Sequence, residues 1–135
     1  MVDSDDGSIS DLSGLLRRVH PEQVVPGASS GEWRVSSAAF RDLNLSTDCE
    51  EKMLAAGVPA EWTVAKHSGW SLVRFTAAVS RQIGMSVVNR PLDSDPGRNG
   101  EPNPYHAEVQ GKKTQGAVNS LKQVCDWVVC KPPKA

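Results

Sequence analysis

Glycine and proline punctuate this chain so closely that no secondary-structure element can run long. Pro21 ends an apolar segment built on Leu12, Leu15, Leu16 and Val19, because proline disfavours helical backbone at the residue before it. Pro26 to Gly31 is a loop by composition, and Gly57 with Pro59 closes the next segment. Gly84, Pro91, Gly111 and Pro132 are further stops, and a polar stretch from Asp93 to Pro104 carries the turn signals Asp95-Pro96-Gly97 and Asn99-Gly100. What remains between the stops is a series of short pieces, which favours a small sheet with short helices over a bundle of long ones.

The pieces read in turn as strand, helix, an ambiguous segment, helix, strand, strand and helix. Glu32 to Phe40 begins with alternating Trp33, Val35 and Ser37, as a half-buried strand would. Ser46-Thr47-Asp48 offers capping oxygens to a helix over 48–56, with Glu50 and Glu51 in its first turn. Leu72, Phe75, Thr76, Val79 and Ile83 fall at spacings of three and four, which predicts a helix closed by Gly84. Met85 to Val88 and Tyr105 to Gln110 read as strands, and Thr114 caps a last helix whose buried stripe includes Leu121 and Val128. Two strands joined by the 93–104 loop can pair antiparallel, with helices packed on one face, so the expected class is α+β. Residues 1–10 are expected to be a disordered acidic tail, 11–130 a single domain and 131–135 a flexible tail.

Bulk properties exclude several function classes. The 135 residues suffice for one cored domain, and 39% hydrophobic with 23% charged residues is globular rather than disordered. No apolar run approaches the roughly 18 residues of a membrane helix. The net charge of −1 gives the whole molecule no strong pull toward nucleic acid or anionic lipid. The ends are polarised, however: Asp3, Asp5, Asp6 and Asp11 give residues 1–11 a net −4, and five lysines against Asp126 give residues 112–135 a net +4. The acidic N-terminus is unlike a secretory signal, and the three cysteines, Cys49, Cys125 and Cys130, are an odd number for a disulfide framework. Reduced thiols in a cytoplasmic protein are expected.

Candidate chemistry centres on His106 to Thr114, where a strand leaves through Gly111, Lys112 and Lys113 into a helix start. Free amides there and the two lysines suit an anion. Gly-Lys-Lys-Thr is not a phosphate loop, since the glycine required five positions earlier is His106. His106 is the weak catalytic candidate, as acid or base, and Lys112, Lys113, Thr114 and Arg34 are the candidate anion holders. Ser36 lacks the Gly-x-Ser-x-Gly surroundings of a hydrolase nucleophile. His20, His67, His106 and the cysteines show no metal-ligand spacing, so neither a metal nor a cofactor is expected. Cys49 is expected to be inert, its helix-start position being offset by neighbouring acids. The four tryptophans read as core or core-edge anchors rather than base-stacking platforms.

The stretch Val35 to Phe40, then Leu45-Ser46, Asn103 to Ala107 and Gly111 to Lys113, resembles the layout of small uncharacterised bacterial proteins over most of residues 12–129. The resemblance implies a stand-alone bacterial cytosolic domain and no particular activity. The preferred expectation is a non-catalytic binding or accessory module whose partner is a protein or a small anionic ligand. The alternative is a small enzyme acting on a phosphorylated or nucleotide-like substrate through His106. Nucleic-acid binding through the basic end ranks last.

Overall fold

A computed structural model describes residues 3–29 and 31–132; the outer ends of both expected tails lie outside the described residues. The chain order is β1 (Gly14–Val19), β2 (Val24–Pro26), β3 (Trp33–Val35), β4 (Asn44–Cys49), α1 (Glu50–Ala55), β5 (Ser71–Thr76), α2 (Ala77–Gln82), β6 (Ser86–Asn89), β7 (His106–Gln110), α3 (Gln115–Val124) and β8 (Asp126–Val129). Six strands form one antiparallel sheet in the order β6-β7-β4-β1-β5-β8, and β2 with β3 forms a small second sheet. The fold is α+β.

Strand alternation assigns each side chain to a face. Leu15, Val19, Leu45, Cys49, Val73, Phe75, Val87, Ala107 and Val109 point to the main core, where α2 and α3 contribute Ala77, Ala117, Val118 and Leu121. Phe40, carried in by a 3-10 turn over Ser37–Phe40, meets Phe75 edge to face at 6.0 Å. Leu16 and Leu72 point to the opposite face and pack with Met53 of α1 and Val64 in a smaller cluster. Beyond that cluster the second face is polar: Arg18, Ser46, Asp48, His106 and Glu108 occupy it.

The β1–β5 ladder runs over all six residues of β1, from Gly14↔Thr76 to Val19↔Ser71. The β1–β4 ladder holds only Leu15↔Cys49 and Leu16↔Asp48. Past Leu16 the two strands part, and the Arg17 side chain fills the opening. Its Nη1 donates to the Ser46 carbonyl at 3.0 Å, its Nε to the Ala39 carbonyl at 3.1 Å, and Nη2 pairs with Asp42 at 3.3 Å. A guanidinium thus satisfies a β4 carbonyl that no strand reaches.

Several elements differ from their sequence reading. The helix expected from the Leu72–Ile83 spacing is two elements. Residues 71–76 are a strand because both of its faces are buried, Val73 and Phe75 in one cluster and Leu72 in the other. Only at Thr76, whose Oγ1 accepts from Val79 N, does a helix begin. Ser46, Thr47 and Asp48 belong to β4 instead of capping α1; the Thr47 hydroxyl donates to the Ala107 carbonyl. The strand expected over 32–40 stops at Val35, where Ser36 caps the 3-10 turn. A strand, β8, follows α3 where a longer helix was expected.

Residues 3–11, whose first eight fell in the expected disordered tail, lie along β6. Asp6 N donates to the Val87 carbonyl and Val87 N donates to Asp5 Oδ1, both at 2.8 Å, so the segment occupies the outer edge of the sheet. Ile9 is 1% exposed in the main core. Arg81 of α2 binds the segment: Nε faces the Asp5 carboxylate, Nη1 Asp11, and Nη2 the carbonyls of Asp6 and Ile9. Burial works against the Arg81 charge, but Asp11 and Asp5 outweigh it and raise its pKa. No helix among the described residues is long and apolar enough to cross a membrane. Replacing Arg81 by Gln is expected to cost about 2 kcal/mol, the scale of charged hydrogen bonds. Hydrogen exchange should then speed up at Val87, with β1 and β5 unchanged; uniform acceleration across the sheet would contradict a local clasp.

Candidate functional site

The parting of β1 and β4 creates a cleft of about 330 Å³ on the polar face of the sheet. Leu16, Arg17 and Arg18 of β1, Ser46, Thr47 and Asp48 of β4, and His106 and Glu108 of β7 line it. Thr63 and the loop residues Leu92 and Asp95 to Gly97 complete the wall. Its size lies at the small end of ligand pockets.

One buried amide ties the loop to the sheet. Asn103 Nδ2 donates to Asp48 Oδ1 at 2.8 Å and to Asp95 Oδ2 at 2.9 Å, and all three residues are at most 5% exposed. Thr63 Oγ1 donates to Asp48 Oδ2 at 2.8 Å, and Gly97 N to Asp95 Oδ1 at 2.9 Å. The Asp95-Pro96-Gly97 turn read from the sequence is therefore an aspartate-capped 3-10 turn held over β4. Arg98 anchors its far side, with Nη1 on the Trp62 carbonyl and the guanidinium 3.3 Å above the Trp62 ring. Through these bonds the long polar loop becomes a rigid cleft wall.

His106 is 7% exposed, and its Nδ1 lies 2.9 Å from the Arg90 carbonyl. A carbonyl only accepts, so Nδ1 carries the proton. In the neutral ring Nε2 is then an acceptor, and it has no protein partner among the described residues. Asp48 stands directly across from His106 in the β4–β7 register, and Ser46 across from Glu108. Glu108 Oε1 receives Arg90 Nε at 3.3 Å and Gln110 Nε2 at 2.9 Å.

Arg18 is the cation of this cleft that is left unpaired. Its one protein hydrogen bond runs from Nη1 to the Thr63 carbonyl at 3.5 Å, and no carboxylate pairs with it among the described residues. It approaches Gly97 so closely that a Cβ there would lie 2.6 Å from Nη2. Its charge helps push down the pKa of both Arg17 and His67, in each case after the larger effect of burial. His67 Nε2 lies 2.7 Å from the Gly97 carbonyl and fixes the loop beside Arg18.

The residues expected to form an anion site between His106 and Thr114 are not gathered in one place. Lys113 turns inward: its Nζ donates to the carbonyls of Gly111, Val109 and Leu43 at 2.8, 2.9 and 3.1 Å. Burial pulls its pKa down to about 8, yet three carbonyls call for the three donors of an ammonium, which favours the charged form at neutral pH. No N–H of Lys113 remains for a ligand. Thr114 Oγ1 accepts from Ala117 N as the cap of α3, and Lys112 is exposed. Arg34 lines a separate hollow of about 340 Å³ with Asn119, Lys122 and Gln123. Of the residues singled out from sequence, only His106 lies in the cleft.

Arg18, Asp48, Asp95 and Asn103 were not singled out. One signal was present, two adjacent arginines inside the otherwise apolar run 15–19. Asp48 and Asp95 were read as a helix cap and a turn residue, and no local pattern marks them, or Asn103, as parts of one site; they meet only through the fold. Cys49 is fully buried, and burial pushes the Cys125 thiol up to about 11. Among the described residues no three His, Cys, Asp or Glu side chains converge in a way that could hold a metal ion.

Comparison with protein-family models, with curated proteins and with solved structures finds no match to this chain. Substituting Lys113 by Met is expected to remove three ammonium hydrogen bonds, one of them to a Leu43 carbonyl that keeps Gly111 N as a donor, and to lower stability by roughly 2 kcal/mol. Urea unfolding would measure it, and a change under 0.5 kcal/mol would mean that water replaces the ammonium without loss.

Proposed function

We propose that this protein is a small bacterial cytoplasmic binding module whose ligand places a carboxylate or phosphate on Arg18 in the cleft between β1 and β4. The observation that supports this reading is an arginine without a carboxylate partner among the described residues, on the wall of a preformed, rigidly backed cleft. Arg17 beside it is already committed to Asp42 and two carbonyls, and the Asp48 and Asp95 carboxylates each accept hydrogen bonds from the protein. Of the charged groups lining the cleft, Arg18 is the cation with donor capacity left, and a guanidinium suits a two-point contact with either anion. The proposed anion site thus moves from the Gly111 turn to the polar face of the sheet.

Titration with inorganic phosphate and with acetate, followed by amide chemical shifts, tests the reading. Shifts are expected to cluster at Arg18, Ser46 and Gly97, and Arg18→Gln is expected to weaken binding at least tenfold. Gly97→Ala, which crowds the guanidinium without requiring left-handed backbone, is expected to weaken binding with little loss of stability. Unchanged affinity in Arg18→Gln would end the proposal.

A second reading, catalysis on a phosphorylated or nucleotide-like substrate, is favoured by one specific feature. The His106 ring is oriented by the Arg90 carbonyl so that Nε2 is the acceptor, the arrangement a general base requires. Under this reading Arg18 holds the anion while His106 moves a proton.

A further inference from the structure

We propose that the ligand is bipolar, carrying an amine or amidine-like N–H donor as well as the anion held by Arg18. This rests on the Arg18 reading and deepens it. The lining side chains are unequal in charge: Arg17 and Arg18 against Asp48, Asp95 and Glu108. Arg17 is further balanced by Asp42 outside the cleft. Glu108 is likewise shared with Arg90 outside the cleft, so a ligand that was only an anion would gain one guanidinium and still face the Asp48 and Asp95 carboxylates.

The two kinds of group also sit on different strands. Arg18 belongs to β1, whereas Asp48 belongs to β4 and His106 and Glu108 to β7, the next strand over. Neighbouring strands are about 4.8 Å apart, so roughly 10 Å of sheet separates the backbones of the cationic strand and β7. Apart from the Ser46 hydroxyl, which can donate as well as accept, the β4 and β7 side presents acceptors. Among the described residues His106, more than nine-tenths buried, leaves Nε2 without a protein partner, and Glu108 leaves Oε2 free because Oε1 takes both Arg90 and Gln110. The Asp48 oxygens each accept one bond from Asn103 or Thr63, and a carboxylate oxygen has room for a second. The groups bridging these acids donate to them and present no spare N–H toward β7. A ligand must supply the missing donors, several bonds away from its anion.

Three probes of one chain length separate the possibilities: hexanoate with one anion, 6-aminohexanoate with an anion and an ammonium, and adipate with two anions. Calorimetry on the wild-type protein needs no variant for the main comparison. The expected order has 6-aminohexanoate at least tenfold tighter than hexanoate and adipate the weakest. Glu108→Gln should narrow the gap between the first two, weakening 6-aminohexanoate and relieving part of the repulsion on hexanoate. If hexanoate and adipate bind as tightly as 6-aminohexanoate, and still depend on Arg18, the bipolar ligand is wrong and the anion site stands. If no probe binds, or binding ignores Arg18, both are overturned.

Discussion

The Arg17 guanidinium at the parting of β1 and β4 is the interaction on which the rest of the molecule depends. Two antiparallel strands that diverge leave unpaired carbonyls in the sheet, and burying such groups without partners is costly. Arg17 supplies donors to Ser46 and Ala39 from one planar group and stays charged against Asp42. The sheet can therefore open while the Ser46 carbonyl keeps a donor, and the opening is the cleft. The neighbouring Arg18 sits on its wall because the two residues are consecutive in β1.

A cleft on a sheet face keeps its shape only if its other wall is fixed, and here that wall is a loop. Its rigidity comes from Asn103, whose single amide bridges two buried aspartates, and from the Arg98 stack on Trp62. The Asn103 bridge converts polar residues that would otherwise be solvated into a hydrogen-bonded network, where each partner's absence would leave another group unsatisfied. Pre-organised polar walls lower the ordering cost of binding, which suits a site for a small polar ligand.

The acidic N-terminal segment shows the same logic at the edge of the sheet. The three aspartates of residues 1–10, read as a disordered tail, and Asp11 after them find Arg81, Arg90 and the free edge of β6. Composition reports how well a segment is hydrated alone. It says nothing of a cationic side chain some 70 residues away that offers the same carboxylates fixed donors. Lys113 is the converse case: a lysine expected to face a ligand is turned into the protein by three carbonyls that only the folded turn brings together.

The sequence by itself determined the punctuation, the α+β class, the β6 and β7 strands and the Thr114 cap, because glycine, proline and capping residues act over a few positions. His106 was legible as a polar residue opposite the apolar face of β7. The β5 strand was not, since Leu72, Phe75 and Thr76 satisfy helical spacing as well as a strand buried on both faces, and only β1 and β8 on either side settle it. The cleft was decided wholly by tertiary structure. Arg18, Asp48, Asp95 and His106 come from four separate segments, and what joins them is the divergence of two strands, a long-range property that no local pattern encodes.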